Sequence, residues 1–589
     1  MTVTTLTKPP KEPSSSYPFD LGTFNRPITT TNTSTQTWFN RGLTWVYTFN
    51  HAEAVKCFSQ AIARDESCAI AHWGLAYALG PNYNYAWEFF GENLAETVRR
   101  TYEASQRALE LSQGSDRGNV ATPVEKALIR ALTNRFPDSE PVDVMEQYAK
   151  QNRAYADAME KVYDEFGESD LDVAALYADS IMSLTPWKLW DLKTGKPNPG
   201  TRTLDAKNVL EKALRHPDAH KHPGLLHFYI HLVEMSPTPE LGLLAADHLR
   251  ELVPESGHAN HMPSHLDVLV GDYRAAIRAN QRATIADEKY LALVGGMNFY
   301  SNYRMHNYHT LIYAAMFAGQ KAVALDAVER MEKTLPKELL TQLADFVEVY
   351  MSVRPHVMIR FGLWDEIIDD ETLPIPQDKQ LYCMTTAMSY YAKGIAHAAT
   401  GNIEQAKKYR TLYNHAASSV PETRLDFPNK CVDILGVASS MLDGEISYRE
   451  ADYDSAFKSL SHAIDLDDNL GYSEPWSWMQ PARHAYAALL LEQNHVEEAL
   501  AVYKTDLGLD KSVLRARQHL GNVWALQGYF ECLTRLGRSE EAAVVEPQLK
   551  VARAAADVEV RSSCFCRRDT RGPQVLENPG EDKACCGYS

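Results

Sequence analysis

The sequence predicts an all-α solenoid built from repeated helical hairpins, and three observations lead to that prediction. Trp38, Gly42, Ala54, Phe58 and Ala61 follow the spacing W-x3-G-x11-A-x3-F-x2-A, which is the tetratricopeptide (TPR) pattern of about 34 residues per helix-turn-helix unit. Between such motifs the apolar residues recur with a helical period, and strand-like alternation is almost absent. The 589 residues also exceed the roughly 250–300 that one core can fill, unless the fold lengthens by repetition.

Degenerate copies of the repeat continue toward the C-terminus, each introduced by a short turn motif. The turns lie at Gly271-Asp272, Gly319, Gly401-Asn402, Asp452, Asn494-His495 and Gly537. We therefore predict a TPR-like right-handed superhelix over residues 31–345, continued by further degenerate repeats over 346–560. Residues 1–30 are expected to be disordered, and residues 561–589 to form a flexible tail that contains cysteines. The segment 185–200, with Trp187 and Trp190, is predicted to be a loop that covers a groove.

Composition excludes several classes of function. Lys and Arg number 59 against 77 Asp and Glu, a net charge of −18, which disfavours nucleic acid as a partner. No stretch of about 20 apolar residues predicts a membrane span, and the N-terminus lacks the apolar core of a secretory signal. Five scattered cysteines are expected to be reduced core residues (Cys57, Cys68, Cys383, Cys431 and Cys532), so we expect a cytoplasmic protein. The tail cysteines leave three possibilities open, namely metal binding, lipidation or no role.

Histidines give the strongest chemical signal. Eleven of the twenty lie between His216 and His309. His227 and His231 are one helical turn apart, with Glu234 on the same face. His258, His261 and His265 share a face if their segment is helical, although Pro263 requires a first turn or a kink there. His306 and His309 begin a third element.

Imidazoles on successive helices of a solenoid can converge on one cation, so this pattern predicts a transition-metal site. The predicted ligands are His227, His231, His261, His265, His306 and His309. His258 and Glu234 are predicted to be additional ligands or proton carriers, with Asp267 and Asp287 as further candidate carboxylates. Iron, copper and zinc all suit such a set. The alternative interpretation is a hydrogen-bonded histidine network that stiffens a groove.

Several polar blocks carry a family resemblance. The blocks FNHAEA at 49–54, GPNYN at 80–84, HFYIH at 227–231, HMPSH at 261–265 and HNYH at 306–309 resemble a group of bacterial and filamentous-fungal TPR proteins. The resemblance implies that His51, Glu53, Asn82 and Asn84 belong with the histidine cluster, and it suggests a role in secondary metabolism. Helix capping and turn formation are the alternative roles for the asparagines.

Two functions remain open from the sequence. The first is a metal-dependent enzyme acting on a small molecule, with oxidative chemistry slightly favoured over hydrolysis. In that case His258, Glu234, His51 and Glu53 are the candidate catalytic residues. Substrate contacts are predicted for Asn82, Asn84, Trp187, Tyr229 and Tyr308. The second is a non-catalytic scaffold that binds a peptide or protein in its concave groove.

Overall fold

The chain folds into an array of α-helices, as predicted. The computed structural model describes residues 16–114, 121–510 and 512–568. Helices α1 to α14 span Thr33–Tyr47, His51–Arg64, Ala69–Leu79, Leu94–Gln113, Pro123–Thr133, Met145–Phe166, Leu171–Met182, Thr203–Ala213, Pro223–Val233, Leu243–Leu249, Gly257–His261, Pro263–Val270, Tyr273–Val294 and Tyr300–Phe317. Helices α15 to α27 span Lys321–Thr334, Lys337–Gln342, Ala344–Val347, Arg354–Arg360, Trp364–Ile368, Cys383–Thr400, Ile403–Ala417, Cys431–Arg449, Tyr453–Asp468, Ala482–Glu492, Val496–Asp506, Val523–Arg535 and Ser539–Ala555.

Strands are confined, within these ranges, to two short antiparallel hairpins. Trp190–Asp191 (β1) pairs with Lys196–Pro197 (β2), and Leu425–Asp426 (β3) pairs with Asn429–Lys430 (β4). Short 3-10 helices occur at Trp87–Phe89, Gly91–Asn93, Ala219–Lys221, Pro239–Gly242, Glu348–Ser352 and Arg515–Arg517. In the part of the chain that is described, no helix combines the length and apolar character needed to cross a bilayer.

The contacts between helices are those of a solenoid. Most helices pack on the next helix in the chain, and pairs such as α1 and α3, α20 and α22, or α24 and α26 also touch, so the hairpins stack in sequence order. The prediction of an all-α TPR-like solenoid is therefore confirmed. One hydrophobic cluster extends from Phe19 to Val560, so the core is continuous across position 345, where the sequence analysis placed a boundary.

Close helix crossings explain the glycines of the repeat pattern. The Phe58 ring on α2 lies between α1 and α3, and a Cβ placed on Gly42 or Gly74 would come within 2.8 Å or 2.4 Å of that ring. Only glycine lets both neighbouring helices approach the ring so closely.

Most hairpins share one turn geometry. A residue with positive φ ends the first helix and the following residue begins the cap of the second, a geometry that glycine adopts without strain. Gly271 and Gly401 serve in this way before the capping residues Asp272 and Asn402. In three hairpins the residue with positive φ is not glycine: Phe49 at φ 56°, Ala451 at φ 62° and Asn494 at φ 66°.

Part of the N-terminal segment is ordered, contrary to the expectation for residues 1–30. Phe19 and Leu21 are buried in the main core. The Arg26 guanidinium donates to the carboxylates of Asp170 and Asp172 at 2.8 and 2.7 Å. Disorder was predicted from the polar composition of this segment, which does not reveal these few buried anchors. Residues 1–15 lie outside the described ranges.

The beginning of the predicted tail is also packed. Ser563 is buried and accepts a hydrogen bond at its carbonyl from Arg360, and Arg567 forms a buried ion pair with Glu531 at 2.8 Å. Cys564 and Cys566 form a disulfide, so the expectation of a loose tail is wrong for residues 561–568. Cys585 and Cys586 lie outside the described residues. The five cysteines predicted to be core residues are all free and buried.

The C-terminal helices return to the N-terminal half. The Trp524 indole N–H on α26 donates to the Met316 carbonyl on α14 at 2.7 Å, and Arg515 donates to the Leu269 carbonyl at 2.6 Å. Loops from the second half are thereby brought next to helices α9, α12 and α14, where the histidines lie.

Candidate metal centre

Helix α9 places two histidines in the interior. Every residue from Pro223 to Val233 is buried, and the His222 side chain caps the helix by accepting from the Leu225 N–H. His227 and His231 follow at i and i+4 on one face of this helix. Two imidazoles thus lie where a TPR helix ordinarily buries apolar side chains, and they require polar partners there.

Helices α11, α12 and α14 supply the other four histidines. His258 and His261 lie on α11, which Ser256 caps, and His265 lies on α12. Pro263 occupies the first position of α12, which is the break that its lack of an N–H requires. His306 lies on α14.

The six imidazoles form two groups of three, which we call site A and site B. In each group one nitrogen from every ring lies within 4.8 Å of the others. Site A consists of His227, His231 and His258, and site B consists of His261, His265 and His306. The sites are adjacent, since the ring centroids of His231 and His265 are 5.8 Å apart.

In site B the three rings converge through Nε2. His261 Nε2 is 2.6 Å from His265 Nε2 and 2.9 Å from His306 Nε2. Two imidazole nitrogens bound to one zinc ion at 2.0–2.1 Å with a tetrahedral angle lie roughly 3.3 Å apart. These separations are somewhat shorter, so the rings need only a small outward movement to fit a cation. Five of the six histidines are buried, and His306 is half-buried.

The remaining nitrogens of site B fix the tautomers. His261 Nδ1–H donates to Asn280 Oδ1 at 2.6 Å, and the Asn280 amide is oriented because its NH2 donates to the Ala276 carbonyl. His265 Nδ1–H donates to a carboxylate oxygen of Glu234. In each neutral ring the proton is therefore on Nδ1, so Nε2 carries a lone pair.

Site A is anchored in the same way. His227 Nδ1–H donates to the Tyr47 carbonyl at 2.6 Å, and His231 Nδ1–H donates to Glu234 at 2.8 Å. His227 Nε2 is 3.1 Å from His258 Nε2, whereas the buried His231 Nε2 has no hydrogen-bond partner among the described residues. Glu234 thus holds one ring of each site, the outer-sphere role that carboxylates have around metal-bound histidines.

Burial keeps these rings neutral at pH 7. Desolvation lowers the pKa of His231 to about 3 and the pKa values of His261 and His265 to about 4. It also lowers the pKa values of His227, His258 and His306 well below the ordinary value, with repulsion from neighbouring imidazoles as a further cause. Neutral imidazole is the form that binds a metal.

A second carboxylate reaches the centre from the C-terminal half. Glu474, in the loop between α23 and α24, places Oε2 3.9 Å from His265 Nδ1, and only 7% of its side chain is exposed. The Tyr472 hydroxyl lies near this carboxylate, but neither oxygen has a hydrogen bond of normal geometry within the described ranges. Burial, and then repulsion from Glu234, raises the pKa of Glu474 well above its ordinary value.

Aromatic rings line the histidines. The centroid of Phe49 lies 4.5 Å from that of His227, and Tyr83 lies 5.2 Å from His231. Trp187, from the loop that was predicted to cover a groove, stacks on Tyr83 and lies 6.3 Å from His231. The loop is fixed to α9 by Trp190, whose indole N–H donates to the Leu232 carbonyl at 2.6 Å.

Three predicted site residues, His309, His51 and Glu53, belong to neither site. The His309 ring packs against Tyr350 at 5.6 Å and belongs to neither group, although its i+3 spacing leaves it only about 60° from His306 around the helix. His51 Nδ1–H donates to the Ala78 carbonyl at 3.1 Å. Glu53 accepts from Tyr17 and pairs with Lys56.

Both predicted tyrosines also point elsewhere. The Tyr229 hydroxyl donates to Glu211 at 3.1 Å, since two residues along a helix turn it to the face opposite His227 and His231. The Tyr308 hydroxyl donates to Glu288. Of the predicted carboxylates, Asp267 pairs with Arg250.

Of the two predicted asparagines, Asn82 stabilises a turn and Asn84 lies beside the site. Asn82 Oδ1 accepts from the Asn84 N–H at 2.9 Å, so Asn82 has the turn role that was the alternative. Asn84 directs its side chain toward the Tyr303 hydroxyl, and the Tyr303 ring lies 4.6 Å from the His258 ring. Asn84 is therefore at the edge of site A.

Sequence reasoning did not identify Asn280, Glu474, Phe49 or Tyr83 as site residues. Asn280 carried a signal, since an asparagine in the repeat interior must find a polar partner. Phe49 also gave a signal, because a bulky aromatic residue occupies a turn position that glycine holds in several other hairpins. Glu474 carried none, since only the return of the C-terminal half brings it to the centre.

Comparisons with known proteins identify no relative by sequence. No protein-family model matches the chain, and no curated protein matches it. Among solved structures, yeast Tom70 matches with 13% identity and a TM-score of 0.26 over 89% of this chain and 90% of that one. The structure of Naa15/Naa10 bound to HypK-THB matches with 14% identity and a TM-score of 0.21, over 88% of this chain and 70% of that one. Ypp1 matches with 11% identity and a TM-score of 0.23, over 89% of this chain and 73% of that one.

Proposed function

We propose that this solenoid is a metal-dependent enzyme that binds transition-metal ions at sites A and B and uses them to transform a small molecule. The observation that carries the proposal is the direction of the lone pairs. His227, His231, His261 and His265 each have Nδ1 facing an acceptor, so each Nε2 carries the lone pair that a metal ligand needs.

A hydrogen-bonded histidine network explains this arrangement less well. In such a network each neutral imidazole donates through one nitrogen and accepts through the other. His261 and His265 instead place two acceptor nitrogens 2.6 Å apart, and His231 Nε2 meets no donor in the described structure. A cation between the rings turns both features into favourable contacts.

Charge supports the same conclusion. Glu234 and Glu474 are buried beside the imidazoles and form no ion pair with Lys or Arg in the described ranges. A buried carboxylate without a cationic partner is costly, and a bound divalent ion would compensate both.

Neutral imidazoles favour copper, iron or zinc. A metal held by three imidazoles retains an open coordination position, where it supplies Lewis-acid or redox chemistry according to its identity. The protein residues contribute orientation, since Glu234, Asn280 and the Tyr47 carbonyl fix the rings. The surrounding rings of Phe49 and Tyr83 restrict water.

The alternative function, a scaffold that binds a peptide, is less well supported by the C-terminal half of the chain. The surface that α18, α20, α24 and α26 share is occupied by the chain's own C-terminal segment. Arg360 holds the Ser563 carbonyl, Ser563 donates to the His484 carbonyl, and Arg568 donates to the Ala399 carbonyl. A peptide partner would have to displace these contacts.

Metal content tests the proposal. The purified protein is loaded separately with Cu²⁺, Zn²⁺ or Fe²⁺, desalted, and analysed for bound metal. One or two ions per chain are expected, and His231→Ala combined with His265→Ala should remove them. A matched pair of buried histidines outside the centre, His356→Ala with His484→Ala, should leave the metal content unchanged.

Folding of the variants is checked by circular dichroism. If the double variant does not fold, His306→Ala is the substitute, because this ring is half-buried and its removal disturbs the core least. Wild-type protein that binds no metal, or variants that keep their full metal content, would overturn the proposal and leave the scaffold alternative.

A further inference from the structure

Four exposed phenylalanines from separate elements gather on one side of the metal centre. Phe89, Phe299, Phe346 and Phe427 are 39%, 38%, 41% and 46% exposed. Phe89 contacts Phe346 and Phe427, with ring centroids 6.4 and 6.0 Å apart. Exposed rings that converge in this way mark a binding surface more often than isolated exposed apolar residues do.

One series of ring contacts connects this surface to His258. Phe89 lies 6.0 Å from Tyr85, Tyr85 lies 4.4 Å from Phe299, and Phe299 lies 5.6 Å from Tyr303. The Tyr303 ring then lies 4.6 Å from the His258 ring. This series leads from an exposed ring to a buried imidazole of site A.

A second series starts at the same residue and ends at His231. Phe89 contacts Phe427, Phe427 lies 6.3 Å from Trp187, and Trp187 lies 6.3 Å from His231. Both series therefore lead from Phe89 to imidazoles of site A. We call Tyr85, Phe89, Phe299, Phe346, Phe427 and Trp187 the aromatic vestibule.

Unsatisfied polar atoms lie at the inner end of the vestibule. Asn84 Oδ1, the Tyr303 hydroxyl and both oxygens of Glu474 are buried without a hydrogen bond of normal geometry to any described residue. Asn84 and Glu474 present acceptors. Aromatic side chains together with a few convergent polar atoms are the usual lining of a small-molecule site.

We infer that the aromatic vestibule binds the substrate of the metal centre, and that this substrate is an uncharged aromatic molecule with a hydrogen-bond donor, of the phenol class. The inference rests on the proposed function. The rings of the vestibule supply edge-to-face and offset contacts to an aromatic guest. The acceptors at its inner end favour a guest that carries a hydroxyl donor, and a benzoate anion offers no such donor.

Fluorine NMR with 4-fluorophenol tests the inference, with 4-fluorobenzoate as the charged control. The probes are titrated with protein loaded with Zn²⁺ and, separately, with Cu²⁺, whose unpaired electron relaxes nearby fluorine nuclei. We expect saturable broadening of 4-fluorophenol with both forms and additional relaxation with the copper form only. The affinity for 4-fluorobenzoate should be at least tenfold weaker.

The variant Phe299→Ser with Phe427→Ser should weaken the binding of 4-fluorophenol by tenfold or more, because two vestibule walls are lost. Both positions are substantially exposed, so the substitutions should not prevent folding. The matched control, Leu244→Ser with Val544→Ser, removes two exposed apolar residues elsewhere and should leave binding unchanged.

Several results would overturn the inference. These are no binding of 4-fluorophenol, equal binding of the benzoate, equal loss in both variant pairs, or no copper-dependent relaxation in protein shown by analysis to contain copper. Binding to phosphatidylcholine vesicles, or dimers that the phenylalanine variant abolishes, would assign the surface to a membrane or to a second copy instead. Protein that retains no metal would contradict the proposed function itself, which metal analysis of the same sample reveals.

Discussion

His261 Nε2 and His265 Nε2 lie 2.6 Å apart, and the opposite nitrogen of each ring donates to an acceptor. Neither Nε2 can therefore donate to the other while both rings are neutral. Burial lowers the pKa values of both to about 4, so neutrality extends well below pH 7. Two lone pairs at this separation repel, and a metal ion between them removes the repulsion.

Glu234→Gln should weaken metal binding at one of the two sites. The carboxylate accepts from His231 and from His265 through separate oxygens, whereas glutamine offers one acceptor and one donor. One imidazole must then reverse its tautomer and lose its lone pair at Nε2. We expect the affinity of that site to fall by about 10–100-fold, measured by competition with a chromophoric chelator.

A buried glutamate away from the centre provides the control for that experiment. Glu348 is fully buried and accepts from Thr385 and Met384. Glu348→Gln should lower stability without changing metal affinity. If both variants bind metal as the wild type does, Glu234 does not orient the ligands.

Asn280→Leu should also weaken metal binding, through site B alone. The substitution removes the acceptor at His261 Nδ1, so the ring loses its orientation and its fixed tautomer. A loss of about tenfold or more in affinity is expected. Asn429→Leu is the matched control, since this buried asparagine bonds to Gly471 and Ser477, and it should reduce thermal stability only.

The sequence predicted the local part of the centre and missed what depends on tertiary contacts. The spacings of His227 with His231 and of His261 with His265 specify shared helix faces, and the structure brings all four together. His309 lies near the helix face of His306 but packs against Tyr350, because spacing does not decide which neighbouring element a side chain contacts. Tyr229 and Tyr308 each lie two residues from a site histidine, which turns them to the opposite face of the helix.

The contribution of the second half was beyond sequence reasoning. Glu474 lies over 200 positions from His265 and reaches it only because the array curves back. Neither the helical period nor the repeat spacing fixes that curvature. The order of residues 16–30 also depends on distant residues, since Arg26 bonds to Asp170 and Asp172 far along the chain. The prediction of disorder was wrong there for this reason.

Gly74→Ala should destabilise the first repeats by about 1–3 kcal/mol, the usual cost of overpacking. The added methyl would meet the Phe58 ring at 2.4 Å, and Gly42 blocks the ring on its other side. Gly436→Ala in helix α22 is the contrasting variant, because the added methyl would meet only the Leu466 side chain, at 3.7 Å. Gly436→Ala should be neutral or should stabilise the fold by about 0.5–1 kcal/mol. If the two substitutions change the thermal unfolding temperature equally, the packing argument is contradicted.

Arg26→Ala should destabilise the fold by about 3–5 kcal/mol, because it leaves a buried carboxylate without its partner. Burial alone would raise the pKa of Asp172, but Arg26 and then His222 outweigh it and hold that pKa well below the usual range. Limited proteolysis should also cut residues 16–30 faster in the variant. A segment equally protected in both proteins would show that Arg26 does not anchor it.

The pH dependence of this pair follows from the depressed pKa of Asp172. A carboxyl group whose pKa is lower in the folded protein than in the unfolded chain stabilises the fold. This contribution is complete above the pKa of the unfolded chain, about 3.9, and is lost as the pH falls toward the pKa of the folded protein. The difference in melting temperature between wild type and Arg26→Ala should therefore be constant near neutral pH and shrink below about pH 4. A difference that grows on acidification would contradict this assignment.

Anomalous diffraction from crystals of the metal-loaded protein, recorded on both sides of the metal absorption edge, tests the central claim most directly. We predict a peak among the Nε2 atoms of His261, His265 and His306, with a second peak beside His227, His231 and His258 when both sites are filled. Protein shown to contain metal but giving its peak elsewhere, or no peak between these rings, would contradict the account.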